Sequence, residues 1–351
     1  MLPFPLPSYP STIRANPSLN VTVVDNSSDW WSLYSSLLTD YFAVTVIIEA
    51  VLMISIFAGN ILVGVVVLRS PHLRTYTNMF LLSLSASDAL SGVSIIVIVL
   101  TILKPTVTMY IPACKLRYAM LMSCWMASIH SLLAITFDRL VAVVHPLYYQ
   151  MLMTKIRVFI VLCGIWTYSI GVGAAVFVLN EPPTLNESVC DLLINISRDY
   201  LLYCASNFVL VVLAILFCYW RIFLVARNQA RRSPPGFPSS YFHSPRKSWS
   251  VLKDRKYVRT LAMVIGVLLI CWVPLVIILL LELTRGISHS LQTARIIASF
   301  FCQFNSFINP IVYTWRNSEF SSALSKICSG HKVQPAQSLT VSTILSPRSS
   351  T

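Results

Sequence analysis

Seven long apolar stretches run through this 351-residue chain, at about residues 42–68, 76–103, 113–144, 157–179, 200–225, 257–283 and 290–314. Each is near or above the ~20 residues a helix needs to cross ~30 Å of hydrocarbon. In lipid every backbone N–H and C=O must be satisfied within its own segment, so such stretches form helices. The chain is 56% hydrophobic and only 11% charged, against roughly a quarter charged in soluble domains. The expectation is an all-α membrane protein: a seven-transmembrane helix bundle, followed by a short amphipathic eighth helix around Phe320-Ser-Ser-Ala-Leu-Ser-Lys-Ile. The spans also hold polar residues that oil rejects. Asp88 is the clearest, since a carboxylate at mid-span costs about 2.5–3.5 kcal/mol to insert. Whatever compensates for it marks a functional site.

The net charge of +13 suggests nucleic acid, but its placement excludes that partner. Under the seven-span reading, 19 of the 26 Lys and Arg fall on one side of the membrane and 7 on the other. The positive-inside rule then puts the N-terminus outside and the C-terminus in the cytoplasm, as expected for a multi-pass plasma-membrane protein. Residues 1–41 read as an extracellular tail with glycosylation sequons at Asn20 and Asn26, residues 42–328 as one membrane domain, and 329–351 as a disordered cytoplasmic tail. No basic segment with a short apolar core opens the chain, so span one is expected to serve as its own insertion signal.

Of nine cysteines, only Cys114 and Cys190 face the outer, oxidising side, and a disulfide between them is expected. Cys328 follows the amphipathic segment and is a palmitoylation candidate, with a plain free thiol as the alternative. Residues 229–253 are dense in Pro, Ser and Arg and read as a flexible cytoplasmic loop. That loop, with Ser248 after Arg246-Lys247, and the Ser/Thr-rich tail are candidates for phosphorylation.

Polar and proline motifs recur span by span: Gly59-Asn60, Leu84-Ser-Ala-Ser-Asp88, Asp138-Arg139-Leu140, Trp166, Cys271-Trp272-Val273-Pro274 and Asn309-Pro310-Ile-Val-Tyr313. In this order and at these depths they resemble the rhodopsin-like (class A) G-protein-coupled receptors, over residues 42 to about 328. The resemblance implies a non-enzyme that binds an extracellular small ligand and activates a heterotrimeric G protein by outward movement of helix six. Arrestin and receptor kinases would act on the Ser/Thr tail, and Leu147 after Pro146 would dock into the G protein.

Arg139 can pair with Asp138 at rest, and Asp254 at the start of span six offers a second carboxylate. Releasing such a lock is a two-state element of the kind a switch needs, although surface ion pairs contribute under about 1 kcal/mol each. Pro274 and Pro310 lack a backbone donor and loosen their helices, with Trp272 beside the first and Tyr313 after the second. The resemblance also places an allosteric sodium ion at Asp88, Ser128, Asn305 and Asn309. A hydrogen-bonded, protonated carboxyl is the alternative; no other cofactor is implied.

Departures narrow the ligand. Leu121 stands where amine receptors of this family have an aspartate, Gln303 where opsins have their retinal lysine, and Val211 where many members have a proline. Adenosine receptors would place asparagine near Leu279 and histidine at Gln303. The expected pocket is therefore apolar, lined by Leu121, Met122, Trp125, Phe208, Leu275, Val276 and Leu279, with Asn207, Ser299 and Gln303 as sparse polar contacts. Arg117 and Arg295 lie above it. Lysophospholipid receptors use arginine at the position of Arg117, and the runs Cys114-Lys-Leu-Arg117 and Ile135-Thr-Phe-Asp-Arg139 look like the glucose-dependent insulinotropic receptor. An amphiphilic lipid is the resulting best reading, with a nucleoside, amine-like or peptide ligand as alternatives. A snorkelling Arg117 at the membrane interface is the plainer account of that residue. Glu49, in the outer part of span one, either bonds Gln303 or reaches the headgroups.

A transporter or channel is the distant alternative, but the chain shows no internal repeat and an odd number of spans. His130, the lone histidine inside a span, has no evident catalytic partner and reads as a packed or lipid-interface residue.

Overall fold

A computed structural model describes residues 27–103, 111–179, 192–231, 245–286 and 288–329. Among these, seven helices are long and apolar enough to cross a membrane. They are α1 (Ser27–Arg69), α2 (Tyr76–Leu103), α3 (Ile111–Val144), α4 (Lys155–Val178), α5 (Arg198–Arg231), α6 (Pro245–Arg285) and α7 (His289–Arg316), followed by the short α8 (Ser318–Cys328). The end of the bundle carrying Arg139 is termed inner below, and the end carrying Cys114 outer.

Local chemistry sets several boundaries. Thr154 caps α4 by accepting from the Arg157 N–H, and Ser288 caps α7 by accepting from the Leu291 N–H. Asn317 ends α7 and caps α8, its side chain accepting from the backbone N–H groups of Glu319 and Phe320. Helix α8 then lays Phe320 and Ala323 against a cluster of Val63, Val66 and Leu84, which anchors it beneath α1 and α2.

The part of α1 long and apolar enough to cross a membrane is Val46–Arg69, close to the expected 42–68, and the helix itself starts earlier, at Ser27. One expectation is corrected. Helices α5 and α6 extend into the stretch read as a flexible loop, to Arg231 and from Pro245. Proline is well suited to the first turn of a helix, where its missing N–H would have no partner, and neither proline nor glycine follows for several turns.

Helix α3 is central, packing against α2, α4 and α5, while α7 joins α6 to α1. Two glycines permit the closest approaches. A Cβ on Gly59 would meet the Pro310 ring at 3.2 Å, so α1 and α7 touch there. A Cβ on Gly173 would overlap both Ser123 Oγ and the Ala119 carbonyl oxygen, so α4 lies directly on α3. Large apolar side chains such as Ile47, Phe159 and Leu210 point outward, toward lipid.

Candidate functional site: a polar core beneath an apolar cavity

Side chains from α2, α3 and α7 converge on Asp88, which is 1% exposed. Its Oδ1 accepts from Ser128 Oγ at 3.0 Å and from Ser306 Oγ at 3.0 Å, and its Oδ2 from Asn309 Nδ2 at 2.8 Å. All three partners are neutral side chains. Ser128 and Asn309 stand where expected, but Asn305 does not: it lines the cavity above, and Ser306 takes its place at the carboxylate. Neighbouring residues on a helix point about 100° apart, so one position decides which of the two reaches α2. Asn60 completes the layer, donating to the Ser306 carbonyl at 3.0 Å and tying α1 to α7. A second polar link joins three helices, Trp166 Nε1 donating to Ser83 Oγ at 3.0 Å with Ser83 Oγ 2.9 Å from Ser131 Oγ.

The inner lock is closed and more elaborate than Arg139 and Asp138 alone. Asp138 Oδ2 accepts from Arg139 Nε at 2.9 Å, Arg139 Nη2 at 2.6 Å and Thr77 Oγ1 at 2.6 Å. Its Oδ1 accepts from Tyr149 Oη at 2.8 Å, and Arg139 Nη2 also bonds Thr77 Oγ1. The Asp138 side chain is 0% exposed and that of Arg139 17%, so this is not the weak surface pair expected from sequence. Thr77 and Tyr149 carried no sequence signal. Asp254 lies where α6 is helical but its side chain is outside the described residues, so its pairing is not seen.

Burial, reinforced by the Asp138 charge, pushes the Tyr149 phenol up to about 12. The phenol therefore stays protonated across the physiological range, where it donates to Asp138. We expect Tyr149→Phe to raise ligand-independent signalling by about five- to thirtyfold, the effect of losing a charge-assisted bond of ~1–2 kcal/mol. Basal signalling that rises on raising cytoplasmic pH within the physiological range would contradict this protonation state.

Above Asp88, α3, α5 and α6 enclose a cavity of about 60 Å³. Met122, Trp125, Phe208, Leu275, Val276 and Leu279 line it as expected, together with Met126, Leu268 and Asn305. Trp272 forms the floor, edge-on to Trp125 with ring centroids 4.6 Å apart and stacked with Phe208 at 5.6 Å. Pro274 and Pro310 lie within continuous helices, and Tyr313 packs against both the apolar cluster that contains Leu268 and Trp272 and the one that contains Val63 and Leu84.

Several expected contacts lie elsewhere. Leu121 packs beside the cavity without lining it. Asn207 donates to Tyr168 Oη at 2.7 Å, and Ser299 donates to its own helix at the Ile296 carbonyl. Gln303 donates to Glu49 at 3.3 Å, so Glu49 turns into the bundle and is 5% exposed. Arg117 lies over the Tyr118 ring at 5.3 Å. Arg295 pairs with Glu282 at 3.0 Å, an ion pair between α7 and α6 whose carboxylate is fully buried. Long polar side chains are captured by nearby polar partners, because apolar surroundings make an unpaired tip costly. Arg295→Ala removes one charged partner from a buried carboxylate and should cost about 1.5–3 kcal/mol. We expect a lower melting temperature, partly restored by adding Glu282→Gln.

Cys114 is disulfide-bonded; its expected partner Cys190 and the sequons at Asn20 and Asn26 lie outside the described residues. Cys328 is free and exposed, and Leu147 is 87% exposed at the inner face. His130 is half-buried and packs edge-on to Tyr168, its Nδ1 2.8 Å from the Met126 carbonyl.

Residues 59–313 match the model of the 7 transmembrane receptor (rhodopsin family). The chain belongs to that family. It is a multi-pass membrane receptor of class A, in a family of receptors and not of enzymes. Relatives include the adenosine receptor A2b of Homo sapiens, 30% identical over 312 residues, covering 82% of this chain and 90% of the relative. The histamine H2 receptor of Homo sapiens is 29% identical over 302 residues, covering 81% and 79%. The QRFP-like peptide receptor of Branchiostoma floridae is 25% identical over 320 residues, covering 87% and 82%.

Proposed function

We propose that this receptor binds a small extracellular amphiphile in the cavity over Trp272 and signals through a heterotrimeric G protein. The observation that carries this reading is the cavity lining, apolar apart from the side chains of Ser128 and Asn305 and the indole N–H groups. The relatives' names point to an amine, a nucleoside and a peptide, and so do not agree on a ligand. Leu121 offers no carboxylate to an amine, and Leu279 and Gln303 stand where adenosine receptors carry their polar pair. In the proposed pose the tail enters between Trp125 and Leu275 and the polar head turns outward to Arg117. A cavity of about 60 Å³ must widen for this, since ligand pockets commonly span ~300–1,000 Å³. Widening shifts α6 against α3, which couples ligand entry to the inner lock. A ligand screen on wild type and Arg117→Ala tests the reading. Amphiphiles active on wild type and weakened in the variant support it, whereas activation only by amines or peptides overturns it.

The Asp88 cluster presents four oxygens, two from the carboxylate and two from Ser128 and Ser306, a donor set that suits a hard monovalent cation completed by water. We assign it to sodium that favours the resting state, with Asn309 positioning the carboxylate and Asn305 above it. A bound cation would supply the charge balance that the neutral partners lack. Asp88→Asn should abolish sodium's effect on agonist affinity; an unchanged sodium response in this variant contradicts the assignment.

The remaining assignments follow the same orientation. The N-terminal tail is extracellular and glycosylated at Asn20 and Asn26, and Cys114 pairs with Cys190. Cys328 carries a palmitoyl group, Leu147 enters the G protein, and Asp254 joins the lock. The Ser/Thr tail recruits receptor kinases and arrestin at the plasma membrane.

A further inference from the structure

Outward of the cavity, three side chains from three helices leave polar atoms unmatched. Glu49 of α1 is 5% exposed, and only one of its carboxyl oxygens is used, Oε1 accepting from Gln303 Nε2 of α7 at 3.3 Å. Glu49 Oε2, Gln303 Oε1 and Arg117 Nε are all buried without a hydrogen-bond partner among the described residues. Arg117 of α3 is close enough for its charge to act on the Glu49 carboxyl. Its guanidinium lies over the neighbouring Tyr118 ring at 5.3 Å.

The mismatch survives the adjustments open to it. Turning the Gln303 amide over sets its oxygen against the carboxylate and leaves the NH2 group unpartnered instead. Rotating the Glu49 carboxyl only exchanges its two oxygens. A buried polar group without a partner is costly, and three gathered around one carboxyl call for a ligand that matches them.

We propose that this cluster selects the head group of the cavity ligand, and that the head is neutral and carries both a hydrogen-bond donor and an acceptor, as in a long-chain carboxamide. The inference rests on the amphiphile reading above and names the class of amphiphile. Arg117 stands eight residues, about 12 Å, outward of Trp125 on α3, so a lipid with its tail over Trp272 presents its head at this level. The amide N–H donates to Glu49 Oε2, and its carbonyl oxygen accepts from Arg117 Nε. A phosphate would satisfy Arg117 but set a second negative charge beside Glu49. An ammonium would satisfy Glu49 but face the Arg117 cation. Like charges brought together away from water exclude the wrong partner. Glu49 therefore works against the anionic head that Arg117 alone would attract.

The test uses the full chain in phosphatidylcholine nanodiscs and three probes that share one tail: oleamide, oleyl phosphate and oleylamine. The reading is the concentration of each that gives half-maximal thermal stabilisation. Wild type should respond to oleamide at about tenfold lower concentration than to either charged probe. Glu49→Gln, which keeps a bonding partner for Gln303, should weaken oleamide about tenfold and strengthen oleyl phosphate. Arg117→Gln should also weaken oleamide but strengthen oleylamine. Opposite shifts of the two charged probes are not expected of a purely structural role. Preferences unchanged in both variants, as when water alone fills the cluster, would overturn the proposal. Wild type that prefers oleyl phosphate or oleylamine overturns it too, yet leaves the amphiphile reading standing. No response to any of the three overturns both.

Discussion

Gly173→Val should abolish folded receptor at the cell surface. A Cβ at Gly173 would occupy the space of Ser123 Oγ and of the Ala119 carbonyl oxygen. The serine could rotate away, but the carbonyl belongs to the α3 backbone and moves only with its helix. Overpacking in well-filled cores costs about 1–3 kcal/mol, and more where backbone must shift. Here the displaced helix is the one that carries Ser128, Asp138 and Arg139, so the loss extends to the polar core and the lock. Surface staining and thermal melting of detergent-solubilised protein measure it. Gly164→Val, on the same helix but facing open space, is the control and should express as wild type.

Asp138→Asn should produce the largest gain of ligand-independent signalling. Asp138 accepts from Arg139, Thr77 and Tyr149 and is fully buried, so its negative charge holds α3, α2 and the inner loop together. Asparagine keeps the shape but replaces charge-assisted bonds with neutral ones and turns one acceptor into a donor that faces Tyr149 or Arg139. Losing about 1.5–3 kcal/mol of preference for the resting state corresponds to more than tenfold in the equilibrium between states. Tyr149→Phe removes one of these bonds only and should fall below it. Basal second-messenger production, normalised to surface expression, orders the two.

The bundle was legible from the chain because seven apolar stretches of spanning length leave a polypeptide few options. The motif residues were also legible, and Asp88, Ser128 and Asn309 meet in space as the family resemblance implied. Sequence pattern was weaker wherever two helices had to choose a register. Asn305 and Ser306 are adjacent, and only packing of α7 on α2 decides that the serine reaches Asp88. Thr77 and Tyr149 meet Asp138 from elements far apart in sequence or beyond the span, and no periodicity marks such a contact. The polar residues expected at the pocket rim share one feature. Asn207, Gln303 and Arg295 each face inward or toward a seam, but each is held by Tyr168, Glu49 or Glu282. Helical spacing gives the direction of a side chain and says nothing of the partner that captures its tip. The apolar lining was easier, because those side chains need only a buried face.

The central claim is that a closed lock at Asp138 and Arg139 restrains a G-protein-activating receptor. The most direct measurement is guanine-nucleotide exchange on purified heterotrimers of each G-protein class, with the receptor in nanodiscs and no ligand. Wild type should give a low rate on at least one class, and Asp138→Asn a much higher one on that same class. Adding Arg139→Ala to Asp138→Asn should return the rate to that of empty nanodiscs. Folded Asp138→Asn receptor with no exchange above empty nanodiscs on any class would contradict the account.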